Sequence, residues 1–203
     1  MAAVFTLIGV GTLGALILKD KVVDANRTKI KSRVNGKKYE VVNHGDPVAA
    51  ADMLATLEER AKAFIQAAAA KYPEDETIKR IQKIWTGAIS EIPQSETIAY
   101  TLNKKEMFMC VRDNNGTVQN EHDLLFVLLH ELSHVMNDTY GHDKKFWTQF
   151  KRVLEMANEL GYLPYENYDK KATTVCGKPI TSNPATCAIV GTCKSELGPI
   201  RPR

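Results

Sequence analysis

Residues 128–147, LLHELSHVMNDTYGHDKKFW, carry three of the chain's five histidines, with a glutamate directly after the first. His130 and His134 stand four residues apart, so on a helix their imidazoles project from one face, a turn apart, and can share a metal ion. Glu131 points toward the side where an open coordination position would lie. That arrangement suits a water held between a Lewis acid and a general base, the requirement for hydrolysing an amide. Shuffled chains of this composition produce His-Glu-x-x-His about once in a hundred, so context has to decide. Leu128, Leu129, Leu132 and Val135 place the polar trio inside a helix otherwise destined for the core. Unpaired imidazoles are costly there, and a metal supplies partners that packing cannot.

The third ligand comes from beyond that helix. His142 lies past a loop containing Asn137, Asp138 and Gly141, whose turn chemistry lets the chain come back toward the metal. His122, two helical turns before His130, faces roughly the same side but lies about 12 Å down the axis, too far to share the ion. Asp138 and Asp143 are further candidates, since carboxylates bind zinc, although Asp143 reads more economically as the N-cap of the next helix. The geometry favours His142, giving three imidazoles plus water. Two plainer readings stand beside this one: a closed structural zinc site, in which Glu131 has no evident purpose, and a retained fold whose metal site is idle. Tyr140 is a candidate to hold an oxyanion, against the commoner use of a loop tyrosine in packing.

These residues need elements to position them. Apolar spacing predicts a helix from Glu121 or His122 to about Met136, a loop over 137–142, and a second helix over 143–160 that buries Phe146, Phe150, Val153, Leu154 and Ala157 before Gly161 caps it. Phe146 and Trp147 read as core residues anchoring that returning helix. Upstream, residues 97–102 and 107–111 read as strands joined by a tight polar turn at 103–105. Asp46 as N-cap and Pro47 at the first helical position open a long helix that stops at Pro73, and a shorter helix covers 76–85. Residues 37–42 alternate weakly, as a short strand would. Beyond Tyr168 no periodicity is left, so 170–203 reads as an irregular tail.

HELSH followed after a short loop by GHDKKFW resembles the WLM metallopeptidases, relatives of the SprT-like proteases that cut proteins crosslinked to DNA. YTLNKKEMFMCVRD is similar to that family's strand pair before the catalytic helix, LLFVLLHELSH to the helix itself, and FWTQFKRVLEMANELGY to the helix after the third histidine. The resemblance covers residues 97–162. It implies an α+β, zincin-like metallopeptidase domain with a small antiparallel sheet and a polypeptide substrate. It also implies Zn2+ held by His130, His134 and His142, with Glu131 as general base and general acid. A strand such as 107–111 could then align an extended peptide by β-addition.

Charge and hydropathy divide the rest of the chain. Net charge is only +3, but residues 19–38 hold eight Lys/Arg against two Asp, while residues 39–193 are mildly acidic. The body therefore lacks a nucleic-acid footprint, and DNA binding is not expected. The basic arm follows an uncharged run, residues 4–18, with the lysines after it rather than before and no small-residue cleavage site. Against a cleaved signal peptide and a buried hydrophobic helix, that pattern favours a single N-terminal transmembrane helix over 1–18, with a basic linker over 19–45, the catalytic domain over 46–168 on the cytoplasmic side, and the tail over 169–203. Gly11 and Ala15 form a small-xxx-small pair in the run. Cys110 reads as a small core residue, and a disulfide among Cys176, Cys187 and Cys193 is open. The four cysteines contain no C-x-x-C pair, so a zinc ribbon is unsupported. The expected function is a membrane-anchored zinc endopeptidase. The alternative, from a different class, is a structural or assembly protein of a membrane-containing virus particle, held by neighbouring subunits and retaining a peptidase fold.

Overall fold

The computed structural model describes residues 26–95, 97–138 and 141–186. In chain order they form β1 (Arg27–Lys31), β2 (Lys38–Val42), α1 (Pro47–Lys71), α2 (Glu76–Ile84), β3 (Ile89–Glu91), β4 (Ala99–Leu102), β5 (Glu106–Met109), α3 (Glu121–Met136), α4 (Lys144–Glu159), β6 (Thr173–Val175) and β7 (Lys178–Ile180). β1 and β2 make an antiparallel hairpin, as do β6 and β7. The remaining three strands form a sheet in the order β3-β5-β4, with β5 parallel to β3 and antiparallel to β4.

α3 lies at the centre. Every residue from Leu124 to Met136 is buried, because α1, α2, α4 and β4 pack around it. Such a helix cannot show a polar stripe, which is why its sequence reads as almost continuously apolar. Its N-terminus is set by Asn120, whose side chain accepts from the amides of His122 and Asp123. In α1, Asp46 accepts from Val48 and Ala49, and Pro47 sits where its missing amide costs nothing. The fully buried Ala50, Ala51, Ala55, Ala61 and Ala68 give α1 a shallow face that neighbouring elements can approach closely.

Two buried charge clusters tie the hairpin β1–β2 to this frame. On α1, Glu58 accepts hydrogen bonds from Lys37 at 2.5 Å, from the Tyr39 hydroxyl at 2.6 Å, and from Lys62. Burial pushes the Glu58 carboxyl up, and these donors more than offset it, so it stays below the ordinary carboxylate value. Behind β3, Arg112 pairs with Glu91 through two bonds of 2.8 and 2.7 Å and also donates to the carbonyls of Val42 and His44. Glu91 accepts in turn from the Val42 amide. Each buried charge thus meets several partners, the condition under which an interior ion pair is tolerated.

The structure corrects the sequence-based fold. It is α+β with small sheets, but among the described residues no helix is long and apolar enough to cross a membrane. α1 has the length, yet it carries Asp52, Glu58, Glu59, Arg60 and Lys62. The apolar run at residues 4–18 lies outside the described residues. The sheet beside α3 is mixed rather than antiparallel, since β3 joins β5 in parallel. Part of the supposed basic linker is the strand β1, whose Thr28 and Ile30 alternate with charges, and part of the supposed irregular tail is the hairpin β6–β7. β5 is paired on both sides and has no edge for an added peptide strand; β4 is an outer strand of that sheet. Cys110 is buried as expected but disulfide-bonded to Cys176, 66 residues on, clamping the C-terminal hairpin to the end of β5.

Candidate metal centre

His130 and His134 project from α3 one turn apart, both fully buried. His142 arrives from the loop between α3 and α4. Gly141 takes a φ of 84°, a left-handed conformation that glycine adopts without a steric penalty, and Asp143 caps α4 by accepting from the Phe146 amide at 2.8 Å. The chain is thereby turned so that three Nε2 atoms meet: His130 to His134 at 3.2 Å, His134 to His142 at 3.1 Å and His142 to His130 at 2.9 Å.

Three ring nitrogens in mutual contact cannot all be satisfied as hydrogen bonds, because each neutral imidazole carries only one N–H. Their convergence is that of lone pairs on a common cation. Metal–nitrogen bonds of about 2.0–2.1 Å in tetrahedral geometry place the ligand atoms about 3.3 Å apart, close to the observed triangle. The His130/His134/His142 cluster can therefore hold a metal ion. Burial, followed by the charges of its two neighbours, drives the His130 pKa well below the ordinary value; burial, then His142 and Lys104, lowers His134 to about 2; burial lowers His142. All three rings are therefore neutral at neutral pH, the state that binds a metal.

Glu131 is buried beside the first histidine, and its Oε2 accepts from the Thr101 hydroxyl of β4 at 2.8 Å. Burial raises its pKa to about 7 against the opposing effect of that hydrogen bond, which suits a group that takes and returns a proton near neutrality. Lys104, in the turn between β4 and β5, donates to the Asn137 carbonyl at 2.5 Å, and Arg80 donates to the Val135 carbonyl at 3.1 Å. Both cations sit at the C-terminal end of α3, where carbonyls lack intrahelical donors and the helix dipole is negative.

The wall behind the histidines is aromatic. Phe146 stacks on His134 with centroids 4.0 Å apart and meets His130 and His142 edge-on at 4.8 and 4.7 Å. Phe150 lies edge-on to His130 at 5.0 Å and Trp147 is tilted over His142 at 5.5 Å. Among the described residues, Nδ1 of His130 and Nδ1 of His134 are buried without a hydrogen-bond partner.

The other sequence candidates go elsewhere. His122 sits against the Pro164 carbonyl, Asp138 pairs with Lys145, and Asp143 is the cap. Tyr140 lies outside the described residues. Thr101 and Lys104 were not singled out from the sequence. Thr101 shares its strand face with buried Ala99, so a polar residue at an inward position of an alternating strand was the available signal.

The chain matches no protein-family model and no solved structure. It is similar to uncharacterized viral proteins. One, from Invertebrate iridescent virus 6, is 42% identical over 66 residues, which are 31% of this chain and 37% of that protein. Another, from Invertebrate iridescent virus 3, is 40% identical over 65 residues, 32% of this chain and 41% of its own length. A third, from Acanthamoeba polyphaga mimivirus, is 22% identical over 178 residues, 83% of this chain and 89% of the relative. The matched segments thus span less than half of the two iridescent virus proteins.

Proposed function

We propose that this chain is a zinc-dependent peptidase of the kind its resemblance to the WLM metallopeptidases implies. The observation that carries the reading is the pairing of a three-imidazole cluster with a buried carboxyl, Glu131, on the same helix and adjacent to one of the ligands. A structural site has no use for that carboxyl. His130, His134 and His142 would hold the ion, which when bound supplies Lewis acidity toward a carbonyl and a water. Glu131 takes the proton from the attacking water and returns it to the leaving amine. Thr101 donates to Oε2 and restrains the carboxyl group. The aromatic wall limits water at the ligands and strengthens the electrostatic interactions between them and the cation.

Zinc content of the purified protein and cleavage of an unstructured polypeptide test the reading together. Glu131→Gln is expected to retain zinc and lose at least about a hundredfold in kcat, in line with removal of a general base. Full cleavage by that variant sinks the assignment.

A second reading is favoured by the viral source of the relatives. The chain would then be a structural or assembly component of a virus particle that keeps a peptidase fold. Mass spectrometry of purified particles, combined with wild-type assembly in Glu131→Gln, would support it over the enzyme.

A further inference from the structure

Resting on the metal reading above, we infer that Phe146 is the positioning residue of the centre, holding all three imidazoles in place by ring packing where hydrogen bonds ordinarily do so. A histidine ring turns freely about its last torsion unless something fixes it. Metal-binding histidines usually obtain that restraint by donating the remote N–H to a carboxylate or carbonyl. Here the Nδ1 atoms of His130 and His134 are buried and have no hydrogen-bond partner among the described residues. Among the described aromatic side chains outside the cluster, Phe146 is the one that meets all three rings: it lies 4.0 Å from His134 at an interplanar angle of 23°, and 4.8 and 4.7 Å from His130 and His142 at 64° and 68°. One ring thus packs against all three imidazole planes, stacked on one and edge-on to two, while Phe150 adds a contact to His130 and Trp147 one to His142. Phe146 belongs to the first turn of α4 and is itself fully buried, so the helix that returns after His142 brings the restraint with it.

The test measures cobalt(II) uptake by the full chain, by chelator competition and visible absorption, alongside unfolding in urea. Phe146→Leu and Phe146→Met are expected to bind cobalt about 10- to 100-fold more weakly, the usual cost of losing an outer restraint, with an altered absorption band. Phe126→Leu is the control. Phe126 is equally buried and packs on Phe150 and Tyr168 rather than on the histidines, so it should lose stability and keep wild-type affinity. Wild-type affinity and spectrum in the folded Phe146 variants overturn the inference, as does a parallel loss in Phe126→Leu. A crystal structure of the metal-loaded wild type decides the matter even when no variant folds: the stack on His134 persists, or an acceptor at either Nδ1 replaces it and the inference falls. A wild type that takes up no cobalt overturns the metal reading itself, a distinct result.

Discussion

Thr101 and Glu131 show how little separates a buried carboxyl that is merely costly from one that is useful. The hydroxyl bond at 2.8 Å opposes the burial that raises Glu131 to about 7. Removing it with Thr101→Val, which keeps the side-chain shape, leaves desolvation unopposed and raises the carboxyl further. On the peptidase reading proposed above, the general base must be ionised, so activity is lost as pH falls through its pKa. The acid limb of kcat/KM should therefore move to higher pH in Thr101→Val, while the alkaline plateau survives. A limb that stays in place would show that Glu131 is not the titrating base. Burial holds each of the three histidines below its ordinary value.

Between elements, the hairpin turn after β4 and the end of α3 are joined by Lys104. Asn103 and Lys104 both adopt left-handed backbone conformations, with φ of 51° and 58°, uncommon for lysine and a small cost that the turn imposes. In that position the Lys104 ammonium reaches the Asn137 carbonyl, where α3 stops and the chain departs toward His142. Lys104→Met keeps the aliphatic stem and removes the donor. It should lower the unfolding free energy by about 1.5–3 kcal/mol, the range for a charged hydrogen bond, measured by urea denaturation; an unchanged midpoint would leave Lys104 a bystander. Helices were the legible elements of the sequence. Asp46-Pro47 and the apolar spacing marked α1, and the His-Glu-x-x-His run marked α3 and two members of the histidine cluster. His142 was legible through its loop, Asp138 and Gly141 included. What escaped was non-local or short. β3 has three residues and exists by pairing with β5, β1 holds a single apolar residue, Ile30, among three charges, and β6–β7 is fastened by a cross-link that no spacing of cysteines announces. The aromatic wall was legible as core, but packing onto ligands is a property of three dimensions and leaves no period in the chain.

At the scale of the whole molecule, the Cys110–Cys176 bond fastens the last hairpin to a frame that otherwise reaches it through contacts such as Asp123 with Tyr168 and Thr173. Closing a loop of 66 residues restricts the unfolded chain by about 4 kcal/mol in the loop-entropy account. Reduction, or Cys176→Ala, should lower the urea midpoint accordingly, and equal midpoints with and without reductant would show that the bond contributes nothing. The same bond draws a covalent ring around α3, α4 and the loop between them, so all three histidines and Glu131 lie inside it. A backbone cut anywhere in that ring leaves both fragments on one molecule. Such a nicked chain would run as intact on a non-reducing gel and reveal two pieces only after a thiol is added.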